Sequence, residues 1–195
     1  MMPPMTAPDY NPDMAENNPG AAVNDRGNLA RLERVGAGAA IAGELVGLIG
    51  KSQFFTEFSQ EDISSLAEYL EVYRAQPGDT IIREGDQGDF MMLIVEGEID
   101  ILKKNFWSEQ QHMTSAGPGM TLGEMSMIDG EPRFATCMAS QPTTFAVLTR
   151  DSMAKIILDH SGLGSKVLVK MVTMLSSRLR QTSARMLRMM EEKNR

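Results

Sequence analysis

Residues 122–136 read LGEMSMIDGEPRFAT, and the order of residue types in this run decides more of the architecture than any other stretch. Gly123 offers a turn, and Glu124–Asp129 has the length of about one and a half helical turns. Gly130 and Pro132 then make a loop, and the chain re-enters a strand at Phe134. A helix start presents unpaired backbone N–H groups and the positive end of the helix dipole, which together favour an anion. Arg133, stationed where loop meets strand, can offer a two-pronged guanidinium to a phosphate. Glu124 is a poor neighbour for an anion unless it faces a hydrogen-bond donor, and a sugar hydroxyl is such a donor. The pair fits a ligand with a hydroxyl beside a phosphate. On residues alone, a surface ion pair between Glu124 and Arg133 stays open as the alternative.

Outward from this run, residues 71–150 alternate short apolar stretches with turn residues such as Pro77-Gly78-Asp79, Gly85-Asp86, Glu96-Gly97 and Gly117-Pro118-Gly119. Strands at that spacing predict an antiparallel sandwich or barrel. In residues 90–95 both alternating sets are apolar, which predicts a strand covered on both faces, whereas Ile99 and Ile101 alternate with Glu98 and Asp100 as in a half-buried strand. Before the strands, Phe54, Phe55 and Phe58 cluster ahead of Ile63, Leu66 and Leu70, with Ser59 as the expected N-cap; two short helices are expected here. After Arg150 the spacing is helical, with Asp151 as the expected cap, a turn at His160–Gly162, and one long helix to the end. On that helix Leu168, Val172, Leu175, Leu179, Thr182, Met186 and Met189 step by alternating fours and threes, the seam of a two-stranded coiled coil. It predicts a homodimer through the last helix. Met186, Met189 and Met190 are expected to be core.

At 195 residues the chain has room for one domain with appendages. The expected divisions are a disordered tail at 1–28, a Gly/Ala-rich helical or connector segment at 29–50, a strand domain with short helices at 51–160, and the long helix at 161–195. Five prolines and few apolar residues mark the tail. Leu29, Leu32 and Val35 have helical spacing, and Gly43 and Gly47 form a GxxxG that could admit another helix. The formal charge is −7, yet the last 35 residues carry eight Lys or Arg against Glu191 and Glu192. That basic bias is read as solvated helix flanks. No run reaches the roughly 20 apolar residues of a membrane span, and no secretory leader opens the chain, so the expected location is cytoplasmic. A single cysteine, Cys137, and two histidines exclude an internal disulfide and a metal-ligand cluster. No nucleophile with a base and no Walker-type loop is present, so an enzyme is not expected.

The run 122–136 resembles the phosphate-binding cassette of the cyclic-nucleotide-binding domain family. Leu122, Gly123, Glu124, Met125, Ser126, Met127, Pro132, Arg133, Ala135 and Thr136 all fit its pattern. Residues 77–86, PGDTIIREGD, and then 90–99 are similar to the family's first strands and turns, so the resemblance covers about residues 54–190. It implies an eight-stranded antiparallel jelly-roll barrel with flanking helices and a long C-terminal dimerisation helix. It also implies that Glu124 accepts from a ribose 2′-hydroxyl and that Arg133 clamps exocyclic phosphate oxygens. Backbone N–H groups near Gly123, Ser126 and Phe134 would add donors, with Met125 and Ala135 in the same set.

Within the family the chain is most similar to the bacterial catabolite activator type. Residues 178–183, RLRQTS, resemble its central-helix segment, whose Thr-Ser pair reaches adenine. That assigns Thr182 and Ser183 to the base. The implied ligand is cAMP with no metal, and the implied role is a non-enzymatic sensor or adaptor acting on an unidentified protein partner. Two departures matter. Phe134 replaces a Ser or Thr that holds phosphate in some relatives, which keeps cyclic di-GMP or another nucleotide open, as well as a barrel that has lost affinity and serves as a docking module. The 195 residues also contain no segment that would make the DNA-binding domain of that relative.

Overall fold

From Glu71 to Thr149 turn residues interrupt short apolar runs every few positions, and each run becomes a strand. A computed structural model describes residues 25–48 and 52–193. The chain begins with α1 (Arg26–Leu29), β1 (Glu33–Ala37), a 3-10 turn at Gly38–Ile41 and α2 (Ala42–Gly47). Next come α3 (Gln60–Ala67), β2 (Glu71–Ala75), β3 (Thr80–Ile82), β4 (Phe90–Glu96), β5 (Ile99–Lys104) and β6 (Gln110–Ala116). Then follow β7 (Thr121–Leu122), α4 (Glu124–Asp129), β8 (Thr136–Ala139), β9 (Thr143–Thr149), α5 (Arg150–Asp159) and α6 (Ser161–Lys193).

The strands form two antiparallel sheets, ordered β1-β2-β9-β4-β7 and β3-β8-β5-β6. Apart from β1 these are the eight strands of a jelly roll. Among the described residues no strand of one sheet is hydrogen-bonded to the other, so the roll is an open sandwich rather than a closed barrel. Between the sheets lie Tyr73, Ile81, Ile82, Phe90, Met92, Ile94, Ile99 and Phe145. The outer face of the five-stranded sheet, Val72, Met91, Leu93, Ala146 and Leu148, is covered by Phe55 and by helical residues including Ile63, Leu66, Ile156, Val167 and Met171. Period-two alternation thus sends the even residues of β4 inward and Met91 and Leu93 toward the helices, as the two-sided apolar pattern predicts.

Ser59 caps α3 through a reciprocal capping box with Asp62, as expected. In the region of Phe54 only α3 forms, preceded by turns, and the three phenylalanines pack on one another at 5.3–5.8 Å between ring centres. The cap of α5 is Thr149, not Asp151: the Thr149 hydroxyl accepts from the Ser152 N–H at 3.0 Å. A single residue, His160, joins α5 to α6.

The segment before α3 departs most from expectation. Residues 1–24, most of the expected tail, lie outside the described residues, but Asp25–Asn28 are folded. The helical spacing of Leu29, Leu32 and Val35 gives only the single turn of α1, after which β1 adds to the sheet edge beside β2. Cross-strand ion pairs outweigh the weak periodicity, since Glu33 faces Arg74 and Arg34 reaches Glu71 at 2.9 Å. Gly43 and Gly47 meet nothing within 4 Å of where a Cβ would stand, so the GxxxG admits no helix among the described residues.

On α6, Leu163, Val167, Met171 and Met174 pack into the helix-covered core, while Leu168, Val172, Leu179, Met186 and Met189 of the predicted seam are exposed. Met190 is exposed too, so the expectation that the terminal methionines are core is wrong. The helix spends its inner stripe on its own domain and leaves the outer one bare. Among the described residues no helix is long and apolar enough to cross a membrane.

Phe55 is completely buried at the junction of sheet and helices. Phe55→Ala should lower unfolding free energy by about 3–5 kcal/mol, read from the shift of the urea midpoint at constant slope. A loss under about 1 kcal/mol would show that this ring does not anchor the helices to the sheet.

Candidate ligand-binding site

Gly123 precedes α4 and Gly130 follows it, both in the left-handed region at φ 86° and 78°, a conformation that favours glycine. Pinned at its ends, the short helix holds Glu124, Ser126 and Met127 inward and leaves Met125 half exposed. Arg150 reinforces it from the start of α5, donating from Nε to the Met127 carbonyl at 2.8 Å and from Nη2 to the Ser126 carbonyl at 2.9 Å. The loop after α4 is tied to the β3–β4 connection by two backbone bonds. Gly85 N–H donates to the Arg133 carbonyl, and Arg133 N–H to the Asp86 carbonyl, both at 2.9 Å.

A cavity of about 140 Å³ lies between the sheets, and its lining includes Gly123, Glu124, Met125, Ser126, Arg133, Phe134 and Ala135. The run quoted at the outset thus converges on one cavity, with both Glu124 and Arg133 in its wall. Ile82, Ile101, Leu122 and Cys137 supply the apolar floor. Burial pushes the Cys137 thiol up to about 12, so it stays protonated and serves as packing.

Arg133 is 3% exposed although it carries a full charge. Its guanidinium lies 4.5 Å over the Phe90 ring, and Nη1 donates to the Gly123 carbonyl at 2.8 Å. It fits only because its neighbours lack side chains: a Cβ on Gly88 would collide with the guanidinium, and one on Gly123 would stand 2.7 Å from Nη1. Its counter-charge is Asp25, immediately before α1, whose Oδ2 lies 2.5 Å from Nε. Among the described residues the buried Asp25 Oδ1 and Arg133 Nη2 atoms have no hydrogen-bond partner.

Glu124 is 2% exposed and answers to a different cation. Arg178 of α6 donates from Nη1 to Glu124 Oε1 at 2.9 Å and from Nη2 to the Thr121 carbonyl at 2.7 Å, and the Thr121 hydroxyl also donates to Glu124. Arg178 lines both this cavity and a neighbouring one of about 280 Å³ bounded by Gln53, Met120, Met174 and Gln181. The long helix is thereby connected to the site. Thr182 and Ser183, one turn further on, are exposed and do not line the cavity of a single chain. Phe134 is 56% exposed at the cavity edge, with Lys103 Nζ 4.3 Å over its ring and donating to its carbonyl at 2.6 Å.

Sequence reasoning missed four charged participants: Asp25, Lys103, Arg150 and Arg178. Arg178 stood within the quoted 178–183 segment, where only the Thr-Ser pair was assigned a role. Asp25 carries no local signal, because its partner is 108 positions away.

The cyclic nucleotide-binding domain family matches residues 72–160. A cyclic nucleotide-binding domain from Methylobacillus flagellatus, solved by crystallography, is 36% identical and superposes with a TM-score of 0.73, covering 82% of this chain and 93% of that one. The catabolite activator protein of Thermus thermophilus shares the fold, with a TM-score of 0.64 at 23% identity over 69% of this chain and 62% of its own. The cAMP-dependent protein kinase regulatory subunit of Yarrowia lipolytica is 30% identical over 105 residues, 54% of this chain and 27% of that protein. This chain therefore spans about a quarter of the length of the curated relatives it matches.

Burial raises the Asp25 carboxyl from 3.8 to about 6; Arg133 offsets only part of this, and Asp89 and Asp86 add to it. A group that binds its proton more tightly when docked stabilises docking below its free value and loses that contribution as pH rises through the docked one. Protection of the amides at 26–29, corrected for intrinsic exchange, should therefore decline between about pH 4.5 and about pH 7.5. Protection that stays flat across that window would disconnect Asp25 from the docking of α1.

Proposed function

Because the chain belongs to the cyclic nucleotide-binding domain family, we propose that it is a cAMP-responsive regulatory module that acts by shape change and not by catalysis. One observation carries this: an acidic and a guanidinium side chain, both almost fully buried, share the wall of one cavity on a single short cassette. Glu124 is the acceptor for the ribose 2′-hydroxyl and Arg133 the donor to the cyclic phosphate. Gly123, Ser126 and Phe134 offer backbone N–H groups, and Met125 and Ala135 border the ligand. A buried charge of each sign in one apolar cavity suits a ligand that pairs a hydroxyl with a monoanion and little else. Arg178 gives α6 a direct stake in occupancy, since a sugar hydroxyl arriving at Glu124 meets the carboxylate that holds the helix.

In this reading α6 also pairs with a second copy through Leu168, Val172 and Leu179, which would bring a partner's helix beside Thr182 and Ser183 and complete the base contact. Apolar side chains exposed at heptad spacing support it. The kinase regulatory relatives lend weight to cAMP as the ligand and to a protein as the downstream target. Phe134 supports a second reading, in which a wider ligand such as cyclic di-GMP rests on its exposed ring.

Calorimetry of the full chain against cAMP, cGMP and cyclic di-GMP should give saturable binding with cAMP tightest, and Arg133→Ala should weaken it by more than about 100-fold. Equal affinity in the variant would overturn the assigned site. For the dimer, the test must leave Leu163, Val167, Met171 and Met174 in the core. Val172→Glu with Leu179→Glu does so and should halve the mass measured by light scattering. A mass unchanged by both charges would remove the seam.

A further inference from the structure

We propose that Asp25 is a built-in competitor of the ligand: it neutralises Arg133 in the resting protein, and an anion entering the cavity must displace it and release the segment that carries it. This rests on the nucleotide reading of the cavity and deepens it by assigning residues 25–37 a regulatory part. Arg133 brings a single positive charge to the interior, and Asp25, 0% exposed, already neutralises it at 2.5 Å. Glu124 is likewise neutralised by Arg178. A cavity in that state offers little net attraction to a phosphodiester monoanion. A second anion brought to the same guanidinium would face the first across a few ångströms of low-dielectric interior.

The pairing is also incomplete. Arginine and carboxylate frequently meet as a two-pronged fork, yet here only Nε reaches Asp25, and among the described residues the buried Oδ1 and Nη2 have no partner. A carboxylate held this way is a replaceable ligand. The burial that raises its proton affinity says the same, since charged Asp25 is kept at the site against its own preference.

The segment is attached by contacts that can be exchanged. Asp25 N–H donates to the Gln87 carbonyl at 3.0 Å, Asn28 reaches Asp86 at 3.4 Å, and Arg26 pairs with Asp89 at a half-exposed surface. Beside α1 an open cleft of about 220 Å³ is bordered by Leu29, Ala30, Tyr73 and Phe90. Leu29 is the main apolar anchor. The β3–β4 connection touches both Asp25 and the Arg133 backbone, so the two events share one loop. Since the coupling is reciprocal, whatever holds the segment down weakens ligand binding by the same factor.

The test uses the whole 195-residue chain. Asp25→Ala, and Asp25→Asn to keep shape without charge, should bind cAMP about tenfold more tightly than the wild type in calorimetry at neutral pH. In the wild type, saturating cAMP should speed amide exchange at 26–37. Affinity that is equal or weaker in both variants overturns the proposal, as does exchange that slows or stays unchanged on cAMP addition. A third arm needs no nucleotide: Arg133→Gln strips Asp25 of its counter-charge and should accelerate exchange at 26–29, and unchanged exchange there also overturns the proposal. If no cyclic nucleotide binds either protein while this third arm responds, the nucleotide reading falls and the Asp25–Arg133 tether is supported.

Discussion

A guanidinium sealed inside a protein must have an anion, and the region around Arg133 is organised by that demand. An arginine stripped of water carries a desolvation cost of several kcal/mol that only a close counter-charge and satisfied N–H groups offset. Gly88 and Gly123 make room for the side chain, the Phe90 ring lies beneath it, and the Gly123 carbonyl takes one of its donors. The two backbone bonds to the β3–β4 connection fix where the arginine begins, and Asp25 supplies the charge. An element outside the eight-stranded roll thus brings a counter-charge into its interior, with Leu29 packed into the core beside it.

The same economy extends to the other side of the cavity. Glu124 is buried on a six-residue helix and depends on Arg178, which belongs to the element that covers the outer face of the five-stranded sheet. Each buried charge of the cassette thus borrows its partner from a segment at one end of the chain. The sandwich itself supplies a rigid frame in which neither charge can relax by moving. The charge balance of the cavity is thus tied to the residue preceding α1 and to α6, which supply the partners of the two pairs.

Much of this was legible in the order of residues. The two-sided apolar run at Phe90–Val95 and the half-polar one at Ile99 foretold which strand is covered on both faces and which is only partly buried, because period two maps directly onto sheet faces. Glu124, Arg133 and the glycines at 123 and 130 could be found because they are local, within a dozen positions. What could not be read was pairing at a distance. Nothing near Asp25 announces a partner more than a hundred residues on, and the strand β1 formed where Leu29, Leu32 and Val35 suggested helix because its partners Arg74 and Glu71 lie on β2. The cap at Thr149 was missed for a smaller reason: the hydroxyl two residues ahead of Asp151 reaches Ser152 from extended backbone. The seam of α6 was visible, but the second stripe on the same helix, at Leu163, Val167, Met171 and Met174, was not separated from it.

That helix has a mechanical side. Its 33 residues amount to about 50 Å of rod, and the stretch beyond Arg178, exposed all round, projects for about 20 Å past the last residue anchored on the domain. A stiff projection pivoting near its anchor behaves as a lever. A tilt of about 10° at that pivot would sweep a point about 20 Å away through about 4 Å. The gain comes from length alone, so any shortening of the helix would reduce the stroke in proportion while leaving the cavity untouched.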